Sequence, residues 1–245
     1  MVANESYGHN HFKLRFEWSG GFAAGQFFML GELAKDSFIL PRAFSAFRGD
    51  HNSVEVVYKV VGRGTHHLAE MRAGDDLLAW GPLGNGFRES TGPELLVAGG
   101  IGIAGLFARA EALARSGHRA ALVFGGRTES DLVGRRDLDP IVSSATYFTE
   151  DGSFGEKGRV TNGLAETLKR GGFRSLAACG PAPMLDAVAL IARDAGVRAQ
   201  LSVEAPMACG MGVCLGCSVA VDGRYARACT EGPVFDAAYF GVGPR

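Results

Sequence analysis

Cys209, Cys214 and Cys217 fall within nine residues of MACGMGVCLGCSV, Met207 to Val219, and Cys229 follows after eleven more. CxxxxCxxC with a distant fourth thiol is the spacing of plant-type [2Fe-2S] sites, where four thiolates hold two bridged irons. Gly210, Gly212 and Gly216 suit that chemistry, because a loop wrapped round a cluster must bend sharply and aim backbone N–H groups at sulfur. A structural zinc site also takes four cysteines, but its usual form is two CxxC pairs far apart. Free or disulfide-bonded thiols are the third alternative.

A second glycine cluster lies in VAGGIGIAGLF, where Gly100, Gly102 and Gly105 spell GxGxxG after an apolar strand and before an amphipathic helix. A dinucleotide pyrophosphate wants that context, with the helix N-terminus supplying positive potential; a tight turn in any α/β domain is the plainer reading. The acidic residue expected on the ribose is missing, since the next strand ends in GGRT. Arg127 there either faces a 2′-phosphate or is an ordinary surface arginine, so the choice between NAD and NADP stays open. In SLAACGPAPML, Cys179 closes a strand before a Gly-Pro turn, where open α/β sheets bind ligands, although a lone cysteine there is more often a small buried hydrophobe. Earlier, PRAFSAF offers Arg42 and Ser45, and YKVVGRGTHHLAEM runs from a strand into a short helix with Thr65 as N-cap and the Gly64 backbone open to a phosphate. Taken alone, Arg42 and Ser45 read as surface polar groups, and His66 and His67 are not spaced as metal ligands.

These groups need elements to position them. Up to about residue 90 the pattern is short and β-rich, which predicts an antiparallel β-barrel over residues 1–92. From Glu94 it turns to strand, glycine turn, helix, which predicts a doubly wound parallel-sheet α/β domain over 93–204. Residues 205–245 lack a long periodic segment and read as a cysteine-bearing tail built around something other than a hydrophobic core. A chain of 245 residues with 47% hydrophobic residues has ample material for two cores. Its 25 basic and 26 acidic residues are dispersed, which argues against nucleic-acid or charged-membrane partners. No apolar run is long enough to span a bilayer, the start carries no signal-peptide core, and five cysteines make an odd number for a secreted disulfide framework; the expected location is cytoplasmic.

The order of barrel, nucleotide domain and cluster loop resembles the ferredoxin-NADP reductase superfamily. Within it RAFS, VVGRGT, GPLGNGF (81–87), GGIGIAGL, DGSFGEKGRVT (151–161), CGPAPML and MACGMGVCLGCSV are similar to the electron-transfer subunit of type B dihydroorotate dehydrogenase. The resemblance implies that Arg42, Ala43, Phe44 and Ser45 line FAD, with the arginine on the pyrophosphate and the serine near the isoalloxazine. It extends the flavin wall through Val57, Tyr58 and Lys59 and gives the pyrophosphate to Gly64 and Thr65. Gly99, Gly100, Gly102, Cys179, Gly180 and Pro181 would face the nicotinamide nucleotide, and Cys209, Cys214, Cys217 and Cys229 would ligate the cluster. The family pattern usually has Pro at the positions of Ala43 and Gly105.

By the same resemblance, electrons from dihydroorotate, oxidised on FMN in a partner catalytic subunit, pass through [2Fe-2S] and FAD to NAD+ in pyrimidine biosynthesis, within a heterotetramer of two subunits of each kind. Flavin is the intermediary such a chain needs, because nicotinamide moves two electrons as a hydride and a cluster moves one at a time. No side chain has to act as a general acid or base, so no catalytic residue is assigned. Rival readings are the electron-transfer subunit of a related NAD(P)H:ferredoxin or sulfide oxidoreductase, and a non-enzymatic, zinc-stabilised binding module.

Overall fold

A computed structural model of the chain describes residues 1–32, 40–118 and 120–240. Strands β1 (Ala3–Ser6), β2 (His11–Glu17), β3 (Phe27–Glu32), β4 (Arg42–Gly49) and β5 (Ser53–Lys59) precede helix α1 (Arg63–Glu70) and strand β6 (Leu77–Leu83). They form one antiparallel sheet in the order β1-β2-β5-β4-β3-β6. Among the described residues the outer strands β1 and β6 of this barrel unit are not paired with each other. Alternation decides its inner face: Leu14 and Phe16 of β2, Phe28 and Leu30 of β3 and Val54, Val56 and Tyr58 of β5 pack in one core, closed by Leu68 and Met71 at the end of α1.

The second unit contains β7 (Glu94–Gly99), α2 (Ile103–Arg115), β8 (Ala120–Gly126), α3 (Arg135–Leu138), β9 (Ser144–Thr149), β10 (Glu156–Lys157), α4 (Leu164–Gly171), β11 (Ser175–Cys179), α5 (Ala182–Asp194) and β12 (Arg198–Ser202). These strands are parallel, in the order β10-β9-β8-β7-β11-β12, and both faces are covered. In β7, Leu95 and Val97 face α4 and α5 while Leu96 and Ala98 face α2, as the two-residue period of a strand requires. Strand order reverses between β7 and β11, where crossovers leave in opposite directions and a crevice opens at the carboxyl ends.

The expectation of a tail without a hydrophobic core does not hold. Strands β13 (Ser218–Val221) and β14 (Arg224–Arg227) form a hairpin, and β15 (Val234–Asp236) adds antiparallel to β12 at the edge of the parallel sheet. Val221, Ala226, Phe235 and Phe240 are buried in the core that also holds Leu201 and Leu185. The barrel is fastened to the nucleotide unit by Phe47 on Phe107, with ring centroids 4.1 Å apart, and by the ion pairs Arg48–Glu111 (2.9 Å) and Lys59–Asp131 (2.5 Å).

Candidate functional site

A cleft of about 530 Å³ lies where the barrel meets the nucleotide unit. Its barrel wall is Ala43, Phe44 and Ser45 of β4 with Val57, Tyr58 and Lys59 of β5. The opposite wall is Ile101, Ala104 and Cys179 at the strand-order reversal, and Glu204, Ala205, Pro206 and Met207 complete it on the way to the cysteines. Seven residues expected from the sequence are thus brought together: Ala43, Phe44, Ser45, Val57, Tyr58, Lys59 and Cys179. The landmark between them is Gly105, where a Cβ would lie 3.3 Å from Cys179 Sγ and 3.4 Å from Ser45 Oγ.

Arg42 and Gly64 sit at an adjoining hollow that shares Phe44 with the large cleft, while Thr65, next to Gly64 in α1, lines neither. A Cβ on Gly64 would fall 2.1 Å from Arg42 Cζ, so the bare backbone of α1 is what allows the guanidinium to lie across the first turn of the helix. Thr65 is not the N-cap that the sequence suggests. Gly62 is the cap, and Thr65, in the first turn, accepts from the N–H of Val61 (2.9 Å) and Gly62 (3.1 Å) and donates to Gly62 O (3.0 Å). The helix begins earlier because that hydroxyl satisfies two N–H groups behind it. Two cationic or N–H-rich features, Arg42 and the α1 N-terminus, therefore face one place, as a pyrophosphate requires.

Gly99, Gly100, Gly102, Gly180 and Pro181 form the two turns behind the cleft, side by side because Ala98 pairs with Cys179. Gly102 abuts the other turn so closely that a Cβ would stand 2.4 Å from Cys179 O. Arg127 is exposed, with Nε 3.7 Å from Asp131. Lys59 lines the cleft with its amino group held by Asp131. Burial drives the Cys179 thiol up to about 12, with the charge of Glu204 adding to it and a hydrogen bond with Ser202 partly opposing. Cys179 is thus a neutral wall atom and no nucleophile.

Glu204, Phe27, Ser202, Met207 and Pro233 line the cleft and were not expected from the sequence. For Glu204 the signal was its place just beyond the carboxyl end of the last parallel strand. Glu204 is exposed at the cleft, and partial loss of water to the walls beside it raises its pKa above the ordinary glutamate range.

The cysteine loop brings its thiols together as two neighbouring pairs, Cys209 with Cys214 and Cys217 with Cys229. Among the described residues no three His, Cys, Asp or Glu side chains converge on one ion position. Two irons bridged by sulfide take two thiolates each, so paired sulfurs, not a single four-ligand point, are what the cluster needs. Backbone N–H groups aim at sulfur: Met211 N donates to Cys209 Sγ (3.4 Å) and Gly212 N to Cys229 Sγ (3.1 Å). The N–H groups of Cys214, Met211 and Val213, with the Cys214 thiol, hold the Cys209 thiol down at about 6, a setting that favours the ligating thiolate. Cys229 goes the other way, to about 11, through burial first and then its bond with Cys217. Cys217 and Cys229 are buried, Cys214 is exposed, and its loop neighbours Met211, Val213 and Leu215 expose apolar surface.

The barrel supports the loop from below. Trp80 Nε1 donates to Cys209 O (3.3 Å), and Gly210, at φ +69°, presses so closely on β3 and β6 that a Cβ would be 2.7 Å from Met29 Cγ and 2.8 Å from Leu83 Cδ1.

Comparison with known proteins agrees with this geometry. Residues 204–240 match the model of the iron-sulfur cluster binding domain of dihydroorotate dehydrogenase B, and residues 96–189 that of an oxidoreductase NAD-binding domain. The chain is 36% identical over 242 residues to the dihydroorotate dehydrogenase B (NAD(+)) electron transfer subunit of Caldanaerobacter subterraneus subsp. tengcongensis, covering 96% of this chain and 94% of that one. The corresponding subunit of Bacillus caldolyticus is 36% identical over 223 residues, covering 87% and 84%. Among solved structures, a chain of NADH-dependent reduced ferredoxin-NADP oxidoreductase superposes with a TM-score of 0.86 at 31% identity, covering 97% of this chain and 87% of that one. The 36% identity to the Caldanaerobacter subunit, spread over nearly the whole of both chains and joined to the match of the cysteine-bearing residues 204–240, shows that the chain belongs to the family of dihydroorotate dehydrogenase B electron transfer subunits.

Proposed function

We propose that this chain links the oxidation of dihydroorotate, on a partner catalytic subunit carrying FMN, to the reduction of NAD+. One observation carries the reading: a single cleft has a flavin-type wall (Ala43–Ser45, Val57–Lys59), a nucleotide-type wall at Cys179, and a third wall, Ala205–Met207, that leads within two residues to Cys209. Bound FAD, NAD and a [2Fe-2S] cluster together supply the exchange between hydride and single-electron chemistry. The residues present fit all three groups. Arg42 and the first turn of α1 would hold the flavin pyrophosphate, and Ser45 and Tyr58 would border its ring. Gly99, Gly100, Gly102, Gly180 and Pro181 let the two turns meet closely where the nucleotide would lie, with the Met184 side chain packed against Gly99 and Gly180. Cys209, Cys214, Cys217 and Cys229 would ligate the cluster, with Gly212 and Met211 donating to sulfur.

In this reading residues 1–92 hold the flavin, 93–204 the dinucleotide, and 205–245 the cluster, of which 241–245 lie outside the described residues. The exposed Cys214, in a loop that also exposes Met211, Val213 and Leu215, faces the catalytic subunit, in an assembly of two subunits of each kind. Five free cysteines suit the reducing cytoplasm, and no described helix is long and apolar enough to cross a membrane.

The test mixes the anaerobically purified chain with the catalytic subunit and follows NADH formation from dihydroorotate. NADH should form only with both chains, and Cys214→Ser, lacking the cluster, should lose coupled turnover. Normal turnover by that variant would overturn the reading. The likeness to the NADH-dependent reduced ferredoxin-NADP oxidoreductase chain favours a second reading, the electron-transfer subunit of a related flavin enzyme. Turnover with ferredoxin and none with the dihydroorotate-oxidising subunit would select it.

A further inference from the structure

Arg227 ends β14 opposite Ser218, the residue after Cys217, and stands two residues before Cys229. Its Nη1 donates to Gly212 O at 3.4 Å. The N–H of the same glycine donates to Cys229 Sγ at 3.1 Å, so the guanidinium holds one end of the residue whose other end is bonded to a ligand sulfur. Opposing it, Glu231 Oε2 accepts from Arg227 Nε at 3.0 Å and from the Arg227 backbone N–H at 2.9 Å. The turn beneath the pair does not depend on either side chain, because Arg227 O accepts the N–H groups of Thr230, Glu231 and Gly232.

We propose that the Arg227–Glu231 pair is a positioning device that sets the reduction potential of the cluster held by the neighbouring cysteines. An electron added to the cluster is a negative charge, which the guanidinium stabilises and the carboxylate opposes. A merely mechanical staple on Gly212 would alter how much cluster is retained and leave the potential of the retained clusters unchanged. The proposal rests on the cysteine assignment above, and the first measurement tests that assignment separately.

Wild-type chain, Arg227→Gln, Arg227→Lys and Glu231→Gln are prepared anaerobically with FAD. Iron and acid-labile sulfide per chain are measured, and the cluster is then titrated with a reductant while its electron paramagnetic resonance signal is followed. Arg227→Gln should disfavour uptake of the electron about tenfold, a fall of about 59 mV for a one-electron couple. Glu231→Gln should shift the midpoint the opposite way, and Arg227→Lys, which keeps the charge, should stay close to wild type. The proposal is overturned if Arg227→Gln loses iron without moving the midpoint, if Lys and Gln at position 227 shift it equally, or if Glu231→Gln shifts it in the same direction as Arg227→Gln. Wild-type chain lacking iron and sulfide would sink the cysteine assignment itself, and the proposal with it.

Discussion

Gly210→Ala should detach the cysteine loop from the barrel, and Gly223→Ala supplies its control. Both glycines have positive φ, +69° and +70°, so an alanine at either costs about 1–2 kcal/mol of backbone strain. At Gly223, in the hairpin turn between β13 and β14, a Cβ meets nothing within 4 Å. At Gly210 it meets Met29 Cγ at 2.7 Å and Leu83 Cδ1 at 2.8 Å, and Met29 is fully buried in the middle of β3, where it has little room to give. Overpacking of that kind costs about 1–3 kcal/mol more. At about 2–4 °C per kcal/mol for a chain of this size, Gly210→Ala should melt several degrees below Gly223→Ala. If the loop relieves the clash by lifting off the sheet, Cys209 moves away from Trp80 and from the cleft wall. NADH-driven bleaching of the cluster absorbance should then slow in Gly210→Ala and stay near wild type in Gly223→Ala. Coincident melting curves for the two variants, with equal bleaching rates, would refute the claim that the barrel sheet seats the loop.

Three further outcomes follow from single contacts. Gly64→Ala should preserve or slightly raise the melting temperature, since alanine favours a helix by up to about 1 kcal/mol, but it displaces Arg42 and should weaken FAD binding about tenfold or more in a fluorescence titration; unchanged affinity would remove Arg42 from the flavin cradle. Glu204 has a raised pKa when folded, so the folded chain holds its proton longer and ionisation above about pH 4.5 weakens the fold. Glu204→Gln should therefore flatten the fall in melting temperature of the flavin-free chain from pH 4.5 toward neutrality, and an unaltered profile would contradict the desolvated setting. Glu94 and Arg109 are buried and bidentate, at 2.8 Å twice, with Ser175 Oγ also donating to Glu94; Glu94→Ala leaves a buried guanidinium unpaired and should lower unfolding free energy by about 3–5 kcal/mol in urea melts.

Sequence pattern reveals the parts of this molecule that are locally encoded. The run from β7 to α5 is legible because each strand and helix is long enough to show its period, and the cysteines are legible because ligand spacing is a local constraint. The three-residue strand β15 and the four-residue strands β13 and β14 are too short for a period, although Asp222-Gly223, at φ 53° and 70°, is a strong hairpin signal in retrospect. The Arg42–Gly64 contact and the position of Glu204 in the cleft are not local at all. The first depends on α1 folding back over β4, and the second on the place of β12 in the sheet order.

The integration of the tail has a consequence for electron exchange, which depends on a fixed distance between donor and acceptor. A cluster on a free linker would sample many separations. Here the loop is entered through Ala205, Pro206 and Met207 and left through Pro233, and all four line the cleft itself. Asn85 of the segment after β6 then ties the exit from the loop to the barrel: its backbone N–H donates to Gly232 O at 2.7 Å, its Nδ2 to Glu231 O at 3.0 Å, and its Oδ1 accepts from Val234 N at 3.0 Å. Pairing of β15 with β12 fixes the same segment to the nucleotide sheet. Because the exit of the loop is bonded to the barrel through Asn85 and to the nucleotide sheet through β15, and Cys209 itself is bonded to Trp80, the cysteines are held at a fixed place beside the cleft.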